Sequence, residues 1–188
     1  MDRESTTRRQ SIQLQFSDNN LLASQSDAVG YDAAAAADFI RHELVKAGIS
    51  FTFETVFSHP SKLDFLHEAQ DQGYQVYLYF ISTVSPEINI SRIKQRVHMG
   101  EHDVADEKVR DRYELSLSLL PALARIARRA YLFDNSANDV GIKMCAEIDE
   151  QQRIFIPDED LPWWIVDRFL QHLFSSHTID VSPEWPLN

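Results

Sequence analysis

The stretch G-Y-Q-V-Y-L-Y-F-I at residues 73–81 decides the fold. Its apolar part, Val76–Ile81, is continuous, which predicts a strand buried on both faces of a parallel sheet. Pro60 opens a predicted helix that ends near the glycine at the start of this stretch. Another helix is predicted after the strand, with Ser85 as its cap and Pro86 at its first position. A strand between two helices is typical of the α/β class.

Further elements are predicted on both sides of this unit. Upstream, they are a strand at Ile12–Phe16, a helix capped by Asp32 and ended at Gly48, and a strand at Ile49–Thr55. Downstream, they are a long helical stretch interrupted at Pro121, a strand at Tyr131–Phe133, a β-hairpin at 142–156, and a final helix from Asp160 and Pro162 with Trp163, Val166, Leu170 and Leu173 inward. This alternation predicts a three-layer α/β sandwich with a mostly parallel sheet, followed by a C-terminal β-hairpin and helix.

Length, charge and cysteine content limit the organisation and the partners. The 188 residues suit a single domain in which 1–10 are disordered, 11–136 form the core and 137–188 add the hairpin and final helix. The formal charge of -11 disfavours nucleic acid and anionic membranes as partners. No apolar run approaches the roughly 20 residues of a membrane span, and the first residues lack the apolar core of a secretory signal. Cys145 is alone, which excludes an internal disulfide and predicts a cytoplasmic location.

Glu54 and Thr55 are the first candidate site residues, because they end a predicted strand. In an open parallel sheet, ligands bind beyond the carboxyl ends of the strands. A carboxylate beside a hydroxyl can hold a sugar or ribose hydroxyl by hydrogen bonds. The alternative is that Glu54 is an ordinary solvated charge at a strand end.

Arginines on two neighbouring helices form the second candidate site. Arg92 and Arg96 are four residues apart and share one helix face, and Arg110 and Arg112 follow a polar loop. A helix, loop and helix of this kind can close as a lid over a triphosphate and neutralise the charge of a phosphoryl group in transfer. The alternative is a salt-bridged surface, because acidic residues lie nearby, namely Glu87, Glu101, Asp106, Glu107 and Asp111.

Other motifs indicate structure rather than chemistry. The run Asp134-Asn135-Ser136 predicts an Asx-type turn after a strand. His98 and His102 lack the further ligands of a zinc site, so no metal site is predicted.

Five segments in order resemble one family. They are F-T-F-E-T-V at 51–56, G-Y-Q-V-Y-L-Y-F-I at 73–81, R-I-K-Q-R-V-H-M-G-E-H-D-V at 92–104, V-R-D-R-Y-E-L-S-L at 109–117 and Y-L-F-D-N-S at 131–136. Together they resemble the zeta-toxin-like kinases, P-loop proteins related to the toxins of toxin–antitoxin pairs, over roughly residues 30–136. The resemblance implies a P-loop kinase-like core, substrate contacts by Glu54 and Thr55, and a nucleotide lid with Arg96 and its partners Arg92 and Arg112. It also implies ATP and Mg²⁺ as cofactors, an acceptor hydroxyl on a sugar nucleotide such as UDP-N-acetylglucosamine, and an antitoxin-like partner.

The sequence departs from this family where the phosphates of ATP would bind. It contains no G-x-x-x-x-G-K-[ST] loop, and family members place a strand and that loop before the segments quoted above. The strand at Ile12–Phe16 has two possible positions. It can lead to the catalytic aspartate, in which case Asp18 matches the general base. It can instead stand in the central position, with Ser17-Asp18-Asn19-Asn20 in place of the loop and without its glycines or lysine.

Two functions remain open at this point. The first is a degenerate kinase homologue, incomplete at its N-terminus, which acts as a binding or interaction module. Its exposed sheet edge or its C-terminal hairpin would then form a homodimer. The alternative is an active ATP-dependent phosphotransferase with an unusual or truncated phosphate site.

Overall fold

The computed structural model describes residues 14–17, 20–23, 30–100, 102–138, 141–173 and 179–180. The chain divides into two compact units, Met1–Phe53 and Glu54–Asn188. This division does not test whether the chain is a single domain, which stays a prediction.

The first unit contains a short hairpin and one long helix. Strands β1 (Leu14–Ser17) and β2 (Asn20–Ala23) are antiparallel. Strand β1 overlaps the predicted strand Ile12–Phe16, whose first two residues lie outside the described residues. Helix α1 (Gly30–Lys46) runs through the alanine-rich segment, as its high helix propensity predicts. Asp32 lies inside α1, because the helix begins before it, and its predicted capping role is wrong.

The end of α1 confirms the prediction at Gly48. Gly48 adopts a left-handed backbone with φ of 68°. Its amide donates to Val45 O at 3.1 Å, and the Ile49 amide donates to Leu44 O at 3.1 Å. These two bonds satisfy carbonyl groups that the last turn would otherwise leave without donors.

The second unit is built on a mixed five-stranded sheet. Its strands are β3 (Tyr77–Ser82), β4 (Arg129–Asp134), β5 (Lys143–Ile148), β6 (Ile154–Phe155) and β7 (Ile179–Asp180), in that order across the sheet. The pairs β3–β4 and β6–β7 are parallel, whereas β4–β5 and β5–β6 are antiparallel. The α/β class and the β5–β6 hairpin are therefore confirmed, and the sheet is mixed.

Four helices accompany this sheet in the described residues. They are α2 (Ser61–Asp71), α3 (Pro86–His98), α4 (Asp106–Ile126) and α5, which consists of an α-turn Trp163–Ile165, a π-turn Val166–Leu170 and an α-turn Gln171–Leu173. The predicted cap of α3 is confirmed, because Ser85 Oγ accepts a hydrogen bond from the Glu87 amide at 3.1 Å. No helix within these described ranges is both long enough and apolar enough to cross a membrane.

Helix α4 continues through Pro121, so the predicted interruption is wrong. A proline inside a helix removes one backbone hydrogen bond and costs about 3 kcal/mol. Pro121 is buried, and its neighbours Leu117, Leu120 and Ala124 are at most 2% exposed. Their burial against the sheet outweighs the missing bond and keeps the helix continuous.

The core lies between one face of the sheet and helices α4 and α5. It includes Leu132 from β4, Leu117 from α4, and Trp164 and Phe169 from α5, all fully buried. The predicted inward stripe of α5 is wrong at Trp163 and Val166, which are 39% and 37% exposed. Leu170 is buried as predicted, and the other buried residues of α5 are Trp164, Ile165 and Phe169.

The opposite face of β3 is exposed, which corrects the prediction of a strand buried on both sides. Phe80 is 8% exposed and points into the core, whereas Tyr77, Tyr79 and Ile81 are 50%, 65% and 53% exposed. An apolar strand is covered on both sides only where a layer packs on each face. The core of this unit lies on a single face of β3.

Candidate functional site

Glu54 and Thr55 lie in an irregular segment, so the predicted strand Ile49–Thr55 is wrong. Among the described strands, none pairs with this segment, and β-propensity alone does not form a ladder. Both side chains are exposed, and Thr55 Oγ1 accepts a hydrogen bond from the Phe57 amide at 3.2 Å. Phe57 itself is buried with φ of 51°, a left-handed conformation that is rare and strained for an aromatic residue.

The carboxyl ends of β3 and β4 are joined by hydrogen bonds. The Asn135 amide donates to Ser82 O at 2.8 Å, and the Val84 amide donates to Ser136 Oγ at 2.8 Å. The Ser136 amide donates to Asp134 Oδ1 at 2.9 Å, which confirms the predicted Asx-type turn. The two loops at the usual ligand-binding edge of a parallel pair therefore hold each other in place.

Side chains from two helices complete this network. Trp164 Nε1 donates to Asp134 Oδ2 at 2.9 Å, and Trp163 Nε1 donates to Val84 O at 2.7 Å. Tyr113 Oη donates to Thr83 O at 2.7 Å. Burial, aided by the neighbouring negative charges, raises the pKa of Tyr113 to about 12.

Sequence reasoning missed these three aromatic contacts. The only signal available was that the polar atoms of buried tryptophan and tyrosine usually find a hydrogen-bond partner. Which backbone carbonyl or carboxylate they reach depends on helix placement, and the chain separation between Trp163 and Val84 is 79 residues.

Arg92 is held by the loop after β4. Its Nη1 donates to Asn135 O at 2.8 Å, and its Nη2 donates to Asn138 Oδ1 at 3.0 Å. The guanidinium therefore reinforces the carboxyl edge of the sheet rather than pointing alone into solvent. Arg96 is exposed on α3 and Arg112 is half-buried on α4.

Ion pairs between α3 and α4 support the alternative of a salt-bridged surface in part. Lys94 Nζ lies 2.8 Å from Asp106 Oδ2, and Arg110 Nε lies 3.2 Å from Glu87 Oε1. The Ser85 hydroxyl, the backbone and then Arg110 lower the pKa of Glu87. These pairs join α3 to α4, the second of them at the start of α3, and the role of Arg92, Arg96 and Arg112 as a lid stays a prediction.

The residues described here do not fit a bound ATP–Mg²⁺ of the usual kind. A phosphate cradle needs consecutive backbone amides and a lysine, and the sequence has no such loop. Asp18, the predicted general base, lies outside the described residues. Within them, no group of three or more acidic, histidine or cysteine side chains could hold a metal ion. At the carboxyl ends of β3 and β4, the polar atoms named above already form hydrogen bonds with other parts of the chain.

A buried carboxylate lies on the same face of the sheet as Tyr79 and Tyr131, at a position where that face is covered. Glu147 is 1% exposed, and its Oε1 lies 3.5 Å from Arg129 Nη2. Its Oε2 has no hydrogen-bond partner within the described part of the chain. Burial raises the pKa of Glu147, and the charge of Arg129 and a hydrogen bond from Tyr131 offset part of that increase.

Two comparisons with known proteins give matches. The model of the family described as zeta toxin matches residues 17–129. An uncharacterized protein of Haemophilus influenzae is 35% identical over 82 residues, which are 44% of this chain and 59% of that protein. The matched part thus spans less than two thirds of the length of that curated relative. No solved structure matches the chain.

Proposed function

The chain belongs to the zeta toxin family, and we propose that it is a degenerate member that does not transfer phosphate by itself and acts as a binding or interaction module. A P-loop kinase-like core, a cytoplasmic location and an antitoxin-like protein partner belong to the same proposal. The observation that carries it is the absence of the phosphate loop from these 188 residues.

The missing loop matters because phosphoryl transfer depends on positioning and on neutralisation of charge. Loop amides, a lysine and a metal ion supply both in P-loop enzymes. Loss of one oriented donor commonly raises a reaction barrier by about 2.7–4 kcal/mol. The tetrapeptide Ser17-Asp18-Asn19-Asn20 has neither glycine nor lysine, so it cannot replace several donors at once.

The hydrogen bonds of the arginines also argue against phosphate transfer, because two of these side chains already have protein partners. Arg92 already donates to Asn135 and Asn138, and Arg110 pairs with Glu87. To bind a triphosphate, either side chain would first have to leave its present partner. Arg96 and Arg112 are the other two lid candidates, and a phosphate site at either would also need amide donors beside it.

One observation favours the alternative, an ATP-dependent phosphotransferase acting on the hydroxyl of a sugar nucleotide. Glu54 and Thr55 are exposed beside the strained residue Phe57. Strained backbone often occurs next to functional groups. Such an acceptor site could also persist in a protein that no longer catalyses the reaction.

Calorimetry on the full chain separates these possibilities. The probes are ATP with Mg²⁺ and UDP-N-acetylglucosamine, each titrated alone, followed by an assay for phosphorylated sugar nucleotide with both present. We expect no binding of ATP and no product. Binding of the sugar nucleotide without ATP would also support the proposal, because it identifies the retained ligand. Formation of product would overturn it.

A pair of variants locates any sugar-nucleotide binding. Thr55→Val removes the hydroxyl of the candidate site, whereas Thr52→Val removes an exposed hydroxyl three residues earlier and serves as the control. Loss of binding in Thr55→Val but not in Thr52→Val assigns the ligand to this site. Equal affinity in both variants and the unchanged chain would exclude it.

A further inference from the structure

Strand β3 forms one edge of the sheet, since among the described strands it pairs with β4 alone. Val76 O accepts from the Arg128 amide and Ser82 O accepts from the Asn135 amide, both at 2.8 Å. The even-numbered residues of this strand therefore direct their backbone polar groups towards β4. Because these directions alternate along a strand, the amides and carbonyls of Tyr77, Tyr79 and Ile81 point away from the sheet.

This edge lacks the features that usually prevent pairing with another chain. Exposed edges in natural proteins carry charged residues, proline or bulges. Residues 77–82 include no charged residue and no proline, and their register with β4 is continuous. The side chains of Tyr77, Tyr79 and Ile81 are all at least half exposed on one face of the sheet.

We propose that a second copy of this chain pairs with β3 as an antiparallel strand, about a two-fold axis at Tyr79. A two-fold contact of this kind closes on itself and gives a dimer with one continuous sheet. This inference goes beyond the proposed function and does not depend on whether the chain transfers phosphate.

The register follows from which backbone groups face outward. An axis at Tyr79 places Tyr79 opposite Tyr79 of the partner subunit, and Tyr77 opposite Ile81 of the partner subunit. Every outward amide in residues 77–81 then meets an outward carbonyl across the axis, as an antiparallel ladder requires. If the axis lay at residue 78 or 80, then Ile81 or Tyr77 would fall opposite a residue outside β3, and its backbone groups would have no partner in the strand of the other copy. If the axis lay between two residues, odd-numbered residues would pair with even-numbered ones, and the exposed face of one sheet would continue into the core face of the other.

The side chains support the same register. Tyr79 already stacks on Tyr131 of the same chain, with ring centroids 5.0 Å apart and planes inclined by 18°. Across the axis, the two copies would form one row of four tyrosines on a shared face, and cross-strand aromatic pairs stabilise sheets. No side chain in the paired strands is charged, so the net charge of -11 does not act directly at this contact.

The first test is the mass of the full chain in sedimentation and light-scattering measurements across the micromolar range. We expect a dimer for the unchanged chain. Tyr79→Lys places two like charges opposite each other on the axis and should give a monomer. Met99→Lys adds the same charge at an exposed apolar residue outside the sheet and should leave the dimer intact. A monomer at every concentration, or a dimer unaffected by Tyr79→Lys, would overturn the proposal.

Disulfide trapping tests the register itself. Residues opposite each other in a hydrogen-bonded antiparallel pair have Cα atoms about 5.5 Å apart, a separation that suits a disulfide. With oxidised glutathione as the oxidant, Tyr79→Cys should therefore form a covalent dimer with itself. Cys145 is fully buried, and burial raises the pKa of its thiol, so it should not contribute to this reaction.

Two further cysteine variants complete the test of register. Tyr77→Cys and Ile81→Cys should cross-link when the two chains are mixed and refolded together, and far less when each is oxidised alone. A dimer that forms no disulfide at Tyr79→Cys would place the interface elsewhere and overturn the proposal. A monomer with slow hydrogen exchange at the Tyr79 amide would mean that another segment of the same chain covers the edge, which would also overturn it.

Discussion

Replacement of Tyr113 by phenylalanine should lower stability below pH 10 and raise it near pH 12. Tyr113 is 6% exposed, and its hydroxyl donates to Thr83 O at 2.7 Å, so it connects α4 to the loop after β3. Without that hydroxyl, the buried Thr83 carbonyl keeps the Ser82 hydroxyl, at 3.5 Å, as its donor within the described part of the chain. Loss of one such bond costs about 1 kcal/mol. At neutral pH, we expect Tyr113→Phe to unfold more readily by about this amount.

The effect reverses because burial raises the pKa of Tyr113 to about 12. An unfolded tyrosine has a pKa of about 10 and so ionises first as pH rises. The folded state holds its proton more tightly, and the stability from this residue is present below pH 10 and is lost between about pH 10 and 12. Each pKa unit corresponds to about 1.36 kcal/mol, so the loss approaches about 2.7 kcal/mol. Tyr113→Phe has no proton to lose there and should become the more stable chain.

Urea unfolding at a series of pH values from about 8 to 12 measures this difference. Subtracting the two curves removes the contribution of lysines and other groups that titrate in both proteins. Tyr79→Phe is the matched control, because it removes a hydroxyl from a residue that is 65% exposed. The reasoning would be refuted if the curves for Tyr113→Phe and the unchanged chain stayed parallel throughout.

Three further predictions concern other buried polar groups. Burial raises the pKa of Glu147, so its contribution to stability is present below about pH 4.5 and is lost as pH rises. The stability of Glu147→Gln, measured by its urea midpoint, should therefore increase relative to that of the unchanged chain between acid and neutral pH. Trp164→Phe removes the donor to the Asp134 carboxylate and should lower the free energy of unfolding by about 1.5–3 kcal/mol, measured by thermal melting. Burial raises the pKa of Asp149, but hydrogen bonds, chiefly from Arg153, outweigh it and lower that pKa. Its contribution is therefore present above about pH 4 and is lost in acid, and Asp149→Ala should flatten the acid limb of the stability curve.

The predictions that the structure confirms rest on short-range interactions. Ser85 caps α3 through the amide two residues later, and Gly48 ends α1 with the left-handed backbone that glycine adopts without strain. The Asx-type turn at Asp134 likewise involves only the next two residues. In each case, the partner lies within a few residues, so the sequence contains all the information that the contact needs.

The candidate site was only partly accessible to sequence reasoning. Glu54 and Thr55 are exposed as a binding role requires, but the strand that was expected to place them is absent from the described structure. Arg92 is predicted as part of a nucleotide lid, and in the structure its side chain donates to Asn135 and Asn138, more than 40 residues away in the chain. Residue spacing shows which helix face an arginine occupies, but not which loop lies opposite that face.

The α/β class, the bounds of α2, the start of α3, the hairpin of β5 and β6 and the family follow from the sequence alone, because propensity, capping and ordered motifs act along the chain. Tertiary structure alone decided that α4 passes through Pro121, that the indoles of α5 reach Asp134 and Val84, and that one face of β3 remains exposed. These features depend on which surfaces of distant segments meet. The free energy of burial, summed over those surfaces, exceeds the local preferences that a sequence reveals.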